Sequence, residues 1–305
     1  MKNKVIALCG PTASGKSAIG LELAEETGSS IICMDSMQIY KGMDIGTAKP
    51  TKEEQSRRPH YMLDVVSPFE SYSAAQYAED VFPLLDRLSL PVMIGGTGLY
   101  LNAVSTDMEF GYDRGDEKIR EKYEQIAAEM GNEYVHSLLE KADPEAAQKL
   151  HINDLRRVIR ALEVYEVTGK PFSSQRAKDM YASNGRYDFR IFALSMDRER
   201  LYRRINDRVD VMMNDGLYEE VESLKRSGIT KDLQSMQGIG YKEILEVLEG
   251  TASLDDAVDL IKQRSRNYAK RQLTWFRRDP RVHWLDLDRL SVRGAIDLIR
   301  KEAEI

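Results

Sequence analysis

Residues 10–17 read GPTASGKS, two glycines with four residues between them, then Lys and Ser. No other stretch constrains the fold as much. The pattern works only where an apolar strand delivers the loop and a helix begins at its end. Backbone N–H groups then turn inward on an anion, and the helix dipole reinforces them. Both flanks are present: KVIALC at 4–9 reads as a strand, and a helical pattern runs from Lys16 to residue 27. Gly10, Pro11, Thr12, Ala13, Ser14, Gly15, Lys16 and Ser17 are therefore candidate ligands of a di- or triphosphate. Lys16 supplies a point charge and Ser17 a hydroxyl for Mg²⁺. The loop reads phosphates only, so the rest of its ligand must be inferred from what surrounds it.

Further apolar, β-branched runs occur at 31–34, 91–94, 189–194 and 282–287, with a weaker one, YMLDVV, at 61–66. Helical patterns at 16–27, 73–88 and 198–226 separate them. Alternation of this kind predicts an α/β, P-loop NTPase-like core: a mainly parallel sheet with helices on both faces. From 115 to 180 only helical patterns appear, at 116–130, 132–140, 144–150 and 153–168. The economical reading is a core of residues 1–114 and 187–305 carrying an all-helical insertion at 115–186. No apolar run approaches the ~18–20 residues needed to span a bilayer. The N-terminal run leads straight into the loop and is not read as a signal peptide. A cytoplasmic protein without a membrane partner is expected, with Cys9 and Cys33 as reduced core residues. Two cysteines and four scattered histidines leave no zinc-ligand cluster.

Net charge is −6, but Arg264–Arg281 holds seven Lys or Arg and one Asp, so the rest of the chain carries −12. In that segment the basic residues Arg266, Lys270, Arg271 and Arg277 fall on one side. Tyr268, Leu273, Trp275 and Phe276 fall on the other, as core more than as base-stacking platforms. NDLRRVIRALEVY has the same character: Arg156, Arg157 and Arg160 oppose an apolar face of Leu155, Val158, Ile159, Leu162 and Tyr165. Either helix could be a solvated charged face over a core face. Two in an acidic chain make phosphate-backbone contact plausible.

Three more positions carry chemistry. Asp35 ends the strand IICM, at the sheet edge the loop occupies. It reads as a general base or metal-linked acid, or as a helix N-cap. Gly95-Gly96-Thr97 ends another strand at that edge, where glycines let backbone approach a ligand and Thr97 can donate to phosphate, or simply cap a turn. Nucleotide hydrolases of this loop class commonly end a strand with an Asp that orders Mg²⁺; this strand has none. Arg204 and Arg208, one turn apart, could neutralise a leaving phosphate or form a surface pair.

Six stretches together resemble the tRNA dimethylallyltransferases (tRNA isopentenyltransferases) of bacterial type. They are GPTASGKS, DSMQIYKGMDIGTAKP (35–50), GGTGLYL (95–101), NDLRRVIRALEV (153–164), QGIGYKE (237–243) and RNYAKRQLTWFRR (266–278). They occur in family order across nearly the whole chain. The resemblance implies transfer of a dimethylallyl group from dimethylallyl diphosphate to N6 of the adenosine 3′ of the anticodon. It implies Asp35 as base and Asp35, Ser36, Met37 and Gln38 against the adenine, with Gln38 at its ring edge. Thr97 lies beside the substrate, and Arg208, chosen over Arg204, on the diphosphate. Arg156, Arg157, Arg160, Arg266, Lys270, Arg271 and Arg277 are carried over as tRNA contacts, and the insertion as a grip on the anticodon stem-loop. A monomer is expected. A P-loop small-molecule or nucleotide kinase is the main alternative, and a non-catalytic RNA-binding protein the second.

Overall fold

The structure is a computed structural model and describes residues 3–106, 108, 115–175 and 181–305. It divides into two compact units, Met1–Thr106 with Ser183–Ile305, and Asp107–Ala182.

The first unit is built on six strands: β1 (Lys4–Cys9), β2 (Ile31–Met34), β3 (His60–Tyr61), β4 (Val92–Gly95), β5 (Asp188–Ser195) and β6 (Val282–Asp286). Their order is β3-β2-β4-β1-β5-β6, and every pairing is parallel. Strands buried on both faces need continuous apolar sequence, and β1 is buried from Val5 through Cys9. Leu8 sits opposite Ile94 on one side and Phe192 on the other. On one face, Ile19 and Leu23 of the Lys16–Thr27 helix join Ile296 and Ile299 of the Val292–Ala303 helix in one apolar cluster. The first of these helices lies very close to the sheet: a Cβ at Gly20 would stand 2.2 Å from Ile94 Cδ1. Tyr77 and Tyr100 stack at 4.0 Å, and Tyr77 donates its hydroxyl to the Cys33 carbonyl. From β1 the chain crosses over β4 to β2, while β5 lies on β1's other side. The crevice at such a reversal is where open parallel sheets bind ligands.

In this unit two sequence expectations need correction. YMLDVV does not run as a strand. Only His60–Tyr61 joins the sheet, because Met62 and Asp64 take positive φ (63° and 54°) and bend the chain away; Val66 then makes an isolated bridge to Tyr40. The 198–226 pattern is two helices, Arg198–Asn214 and Leu217–Arg226. They break at Gly216, whose φ of 102° no helix tolerates.

The second unit has helices Glu117–Met130, Asn132–Ala142, Pro144–Lys149 and Leu155–Thr168. Tyr123, Val135, Leu139, Val158, Ile159 and Leu162 form its own apolar centre. Its compact limits fall at 107 and 182 rather than 115 and 186. The chain rejoins the first unit before any strand pattern resumes: Ser183 bridges Thr106, and Asn184 donates to the Val104 carbonyl. Tyr165 is not on the apolar face, being 39 % exposed. No helix among the described residues is long and apolar enough to cross a membrane.

Candidate active site

β1 ends at Cys9 and the loop turns at once. Gly10 takes φ 136°, and a Cβ there would stand 3.1 Å from the Leu194 backbone on β5. Ala13 and Gly15 also have positive φ, 61° and 98°. Ala13 is held in that costly conformation by packing against Leu201, Ile205 and Ala269. The Lys16 ammonium donates to the Pro11 carbonyl at 2.6 Å, folded back onto the loop. Burial, then the Arg208 charge, lowers its pKa to about 8. The Ser14 hydroxyl is buried with no hydrogen-bond partner, so the loop holds an unused donor.

Thr12, Lys16 and Ser17 line a cavity that runs along β2. Side chains alternate along a strand, and Ile31, Cys33 and Asp35 all face it. The Cys33 thiol donates to Gln38 Oε1 at 3.1 Å, and burial drives its pKa far above the usual thiol value. Asp35 Oδ1 accepts the Met37 N–H at 2.9 Å. This closes a turn, and no helix follows, so the N-cap alternative is not realised. Burial raises the Asp35 pKa; the Met37 N–H and the Lys16 and Arg208 charges pull against it. A second cavity, bordered by Ser36, Met37, Met212, Gly238 and Arg271, shares Thr12, Asp35, Thr47, Ala48, Arg208 and Tyr268 with the first. The two cavities therefore meet at a carboxylate facing two cations.

The two arginines divide their work. Arg204 Nε donates to the Ala13 carbonyl at 2.8 Å and holds the loop backbone. Arg208 reaches Thr12 Oγ1 at 3.4 Å and faces both cavities. Thr97 Oγ1 accepts the Ser36 N–H at 3.1 Å and lies 3.5 Å from Ser36 Oγ, so its ties are to the Asp35 turn. Of the neighbouring glycines, Gly95 lines the first cavity, and both also allow close packing. A Cβ on Gly95 would fall 1.9 Å from the Met34 carbonyl oxygen, and one on Gly96 2.0 Å from Gln272 Nε2. Gln38 is already occupied: its amide donates to the Thr47 and Ala48 carbonyls at 3.0 and 3.2 Å while its oxygen takes the Cys33 thiol. It holds the 47–48 backbone instead of offering a free edge to a base.

The basic residues separate similarly. Arg156, Arg157, Lys270, Arg271 and Arg277 are exposed. Arg160 pairs with buried Glu163 at 2.7 Å, and Arg266 donates to Asn206 at 2.6 Å, so neither guanidinium is free of the protein. Trp275 packs over Gly98, and Phe276 is buried, as core residues should be.

The sequence reading missed Gln272 and the reach of Tyr268. Buried Gln272 accepts the Thr12 N–H at 2.8 Å and donates to the Gly96 carbonyl at 3.0 Å, joining the loop to the end of β4. Tyr268 lies beside the Thr97 and Gln272 side chains, which oppose the rise that burial, then the Asp35 charge, gives its phenol pKa. A glutamine among KRQ carries no local signal; only its position on the helical face toward Tyr268 and Leu273 could have marked it.

A glycine-rich loop between strand and helix, facing a desolvated carboxylate at the sheet's edge, defines a P-loop-type α/β protein. Comparison with known proteins narrows this. The IPP transferase family profile matches residues 38–279, and an isopentenyl transferase profile matches 3–72. A tRNA dimethylallyltransferase of Carboxydothermus hydrogenoformans is 47% identical over 311 residues, covering 100% of this chain and 99% of that protein. The crystal structure of a tRNA isopentenylpyrophosphate transferase from Bacillus halodurans superposes with TM-score 0.72 at 41% identity, covering 99% of this chain and 97% of that one. A eukaryotic dimethylallyltransferase acting on tRNA gives TM-score 0.81 at 28% identity, with 99% and 80% covered. The chain belongs to the IPP transferase family.

Proposed function

We propose that this chain transfers a dimethylallyl group from dimethylallyl diphosphate to N6 of the adenosine on the 3′ side of the anticodon in tRNA, releasing diphosphate. The observation that carries the reading is the meeting of two cavities at Asp35. One is lined by the loop and by apolar Leu21, Ile31 and Ile94, suited to a diphosphate with a short hydrocarbon. The other, with Met37, Gly238 and Arg271 on its walls, would admit the base. Such a base must leave its stack to reach the carboxylate.

In the reaction, the N6–C1 bond forms as the C1–O bond breaks, and that bond's electron pair departs with the diphosphate. The N6 proton passes to Asp35. Adenine N6 is a weak nucleophile because its lone pair is delocalised into the ring, so base assistance has leverage. General-base help is worth about 10²–10⁴-fold. Burial makes Asp35 more basic than an ordinary carboxylate. The loop amides, Lys16 and Arg208 meet the negative charge as it develops on the leaving oxygen. Apolar walls limit hydrolysis of the allylic centre.

Mg²⁺ fits this site as a shared ligand. No group of three or more His, Cys, Asp or Glu positioned for a metal occurs among the described residues. The Ser17 hydroxyl and the Asp35 carboxylate line the same cavity, however. Mg²⁺ typically takes few protein ligands and completes its shell with phosphate oxygens and water. Ser17 would hold it, and when bound it would neutralise diphosphate charge. Exposed Arg156, Arg157, Lys270, Arg271 and Arg277 are the proposed contacts to the tRNA backbone. A cytoplasmic monomer accords with this reading.

The test is one assay. Purified protein, Mg²⁺, labelled dimethylallyl diphosphate and unmodified tRNA with adenosine beside the anticodon are combined, with an ATP control in parallel. Label is expected on tRNA from the allyl donor alone. No transfer, with phosphate moved from ATP, would overturn the reading in favour of a kinase.

A further inference from the structure

Opposite the phosphate loop, the cavity wall is a turn at 44–48, and what holds it lies far away in sequence. Thr47 and Ala48 line both cavities, and Gly46 lines the second. This turn has no regular structure to fix it. Instead, three consecutive backbone N–H groups converge on one side chain. Glu220 Oε2 accepts from Asp44 at 2.9 Å and from Ile45 at 2.8 Å, while Oε1 accepts from Gly46 at 3.2 Å. A fourth donor completes the set: the Tyr241 hydroxyl donates to Oε1 at 2.6 Å. Both oxygens of one carboxylate are thus fully engaged, the arrangement in which charge-assisted hydrogen bonds are strongest.

The surroundings are shaped to this contact. A Cβ on Gly46 would stand 2.6 Å from Tyr241 Cε2, so only glycine lets the turn sit against the ring. The Gly216 break starts a new helix at Leu217 and brings Glu220 into its first turn, with Ile45 Cδ1 within 3.8 Å of where a Gly216 Cβ would lie. From the opposite side, Gln38 takes the Thr47 and Ala48 carbonyls, and Lys49 binds the Tyr40 carbonyl, Asp44 and Asp64. The Asp44, Ile45 and Gly46 N–H groups thus go to Glu220 and the Thr47 and Ala48 carbonyls to Gln38, while the Ile45 and Asp44 carbonyls close the turn on Ala48 and Lys49.

We infer that Glu220 is a positioning residue for the reaction: it acts as a template for the 44–48 turn and so sets the wall that both substrates meet. It touches no reacting atom. A wall that contacts substrate equally in the ground and transition states governs KM and leaves kcat little changed. Glutamine has the same shape but puts an NH₂ against N–H donors, so Glu220→Gln should release the turn. Tyr241→Phe removes one of four donors and should do so weakly.

This inference rests on the transfer reaction proposed above, and the experiment separates the two. Wild type, Glu220→Gln and Tyr241→Phe are assayed for label transfer from dimethylallyl diphosphate to tRNA, alongside thermal melts and amide hydrogen exchange. The expected result for Glu220→Gln is a donor KM raised about tenfold with kcat within threefold of wild type. Exchange at Asp44, Ile45 and Gly46 should be accelerated while β1 stays protected. Tyr241→Phe should raise KM less. An unchanged KM with wild-type exchange at 44–46 would overturn the inference. So would a fall in kcat at unchanged KM that tracks lost thermal stability, which marks a merely structural acid. Absence of transfer by wild type would instead defeat the underlying reaction.

Discussion

Leu155–Thr168 and Leu254–Phe276 carry almost the same sequence signal, clustered Arg and Lys opposite an apolar stripe, yet the fold uses them differently. In the first, the strongest electrostatic feature points inward. Glu163 is 0 % exposed, receives Arg120 and Arg160, and accepts the Asp116 N–H. Two of the three expected phosphate contacts, Arg156 and Arg157, remain on the surface. In the second, Arg264 is held by buried Glu243, Lys262 by Asp210 and Arg266 by Asn206. Its apolar side does more than pack, because Tyr268 and Gln272 reach the cavity and the loop. One helix is a strut with a charged surface; the other carries part of the site. A basic face read from sequence does not distinguish them, because the partner of each charge lies on another segment.

The largest effect that should separate the two helices is at Gln272. Gln272→Ala leaves the Thr12 N–H and the Gly96 carbonyl buried without partners, at about 1–3 kcal/mol each. We expect kcat/KM for the allyl donor to fall about 10–10²-fold with the salt dependence of tRNA binding unchanged. A drop of less than threefold would make Gln272 ordinary core and erase the contrast.

Next is pH, which separates buried from exposed cations. Under the proposed reaction Lys16 would bind diphosphate in its protonated form, and its pKa is lowered to about 8, chiefly by burial. Affinity is therefore complete below pH 8 and lost above it. The value of kcat/KM should drop about tenfold from pH 7 to pH 9, since the free enzyme's titration governs that parameter. Lys16→Arg should remove that limb, because guanidinium keeps its proton. A limb that persists in Lys16→Arg would assign it elsewhere.

Smaller effects test the exposed charges. Arg271→Gln should reduce the log–log salt slope of tRNA binding by about one unit, and Arg157→Gln by a similar amount. Arg160→Gln should leave the slope alone and lower stability by about 1 kcal/mol, read from denaturant midpoints, because Arg120 still serves Glu163. A slope change at Arg160 as large as at Arg271 would break the comparison.

How much of this was legible in the sequence depends on the range of the contact involved. The loop, β1 and its helix follow from adjacent residues, as does the parallel sheet from its alternating runs. Asp35 was found because a parallel strand must deliver its next residue to the loop's edge. Gln272 was not found, because Thr12 lies 260 residues away. Glu220 stayed hidden for the same reason: it reads as a surface acid until Asp44, 176 residues earlier, is placed against it. Gly95 does line the cavity, as its place at the strand end predicts, but what Gly95 and Gly96 sit against inside the protein is not legible from their neighbours in sequence. They also permit close approach to Met34 and Gln272. The 198–226 pattern hid its break because Gly216 sits between two helices of matching character.

Cys33 has a consequence for the enzyme's own survival. Under the proposed reaction its sulfur shares a cavity with an allylic diphosphate, an electrophile that a thiolate would attack readily. Alkylation there would block the cavity permanently and end turnover for that molecule. Burial keeps the sulfur protonated, and its hydrogen is committed to Gln38. The burial that would shield the allyl group from hydrolysis would thereby also shield the catalyst from its own reagent.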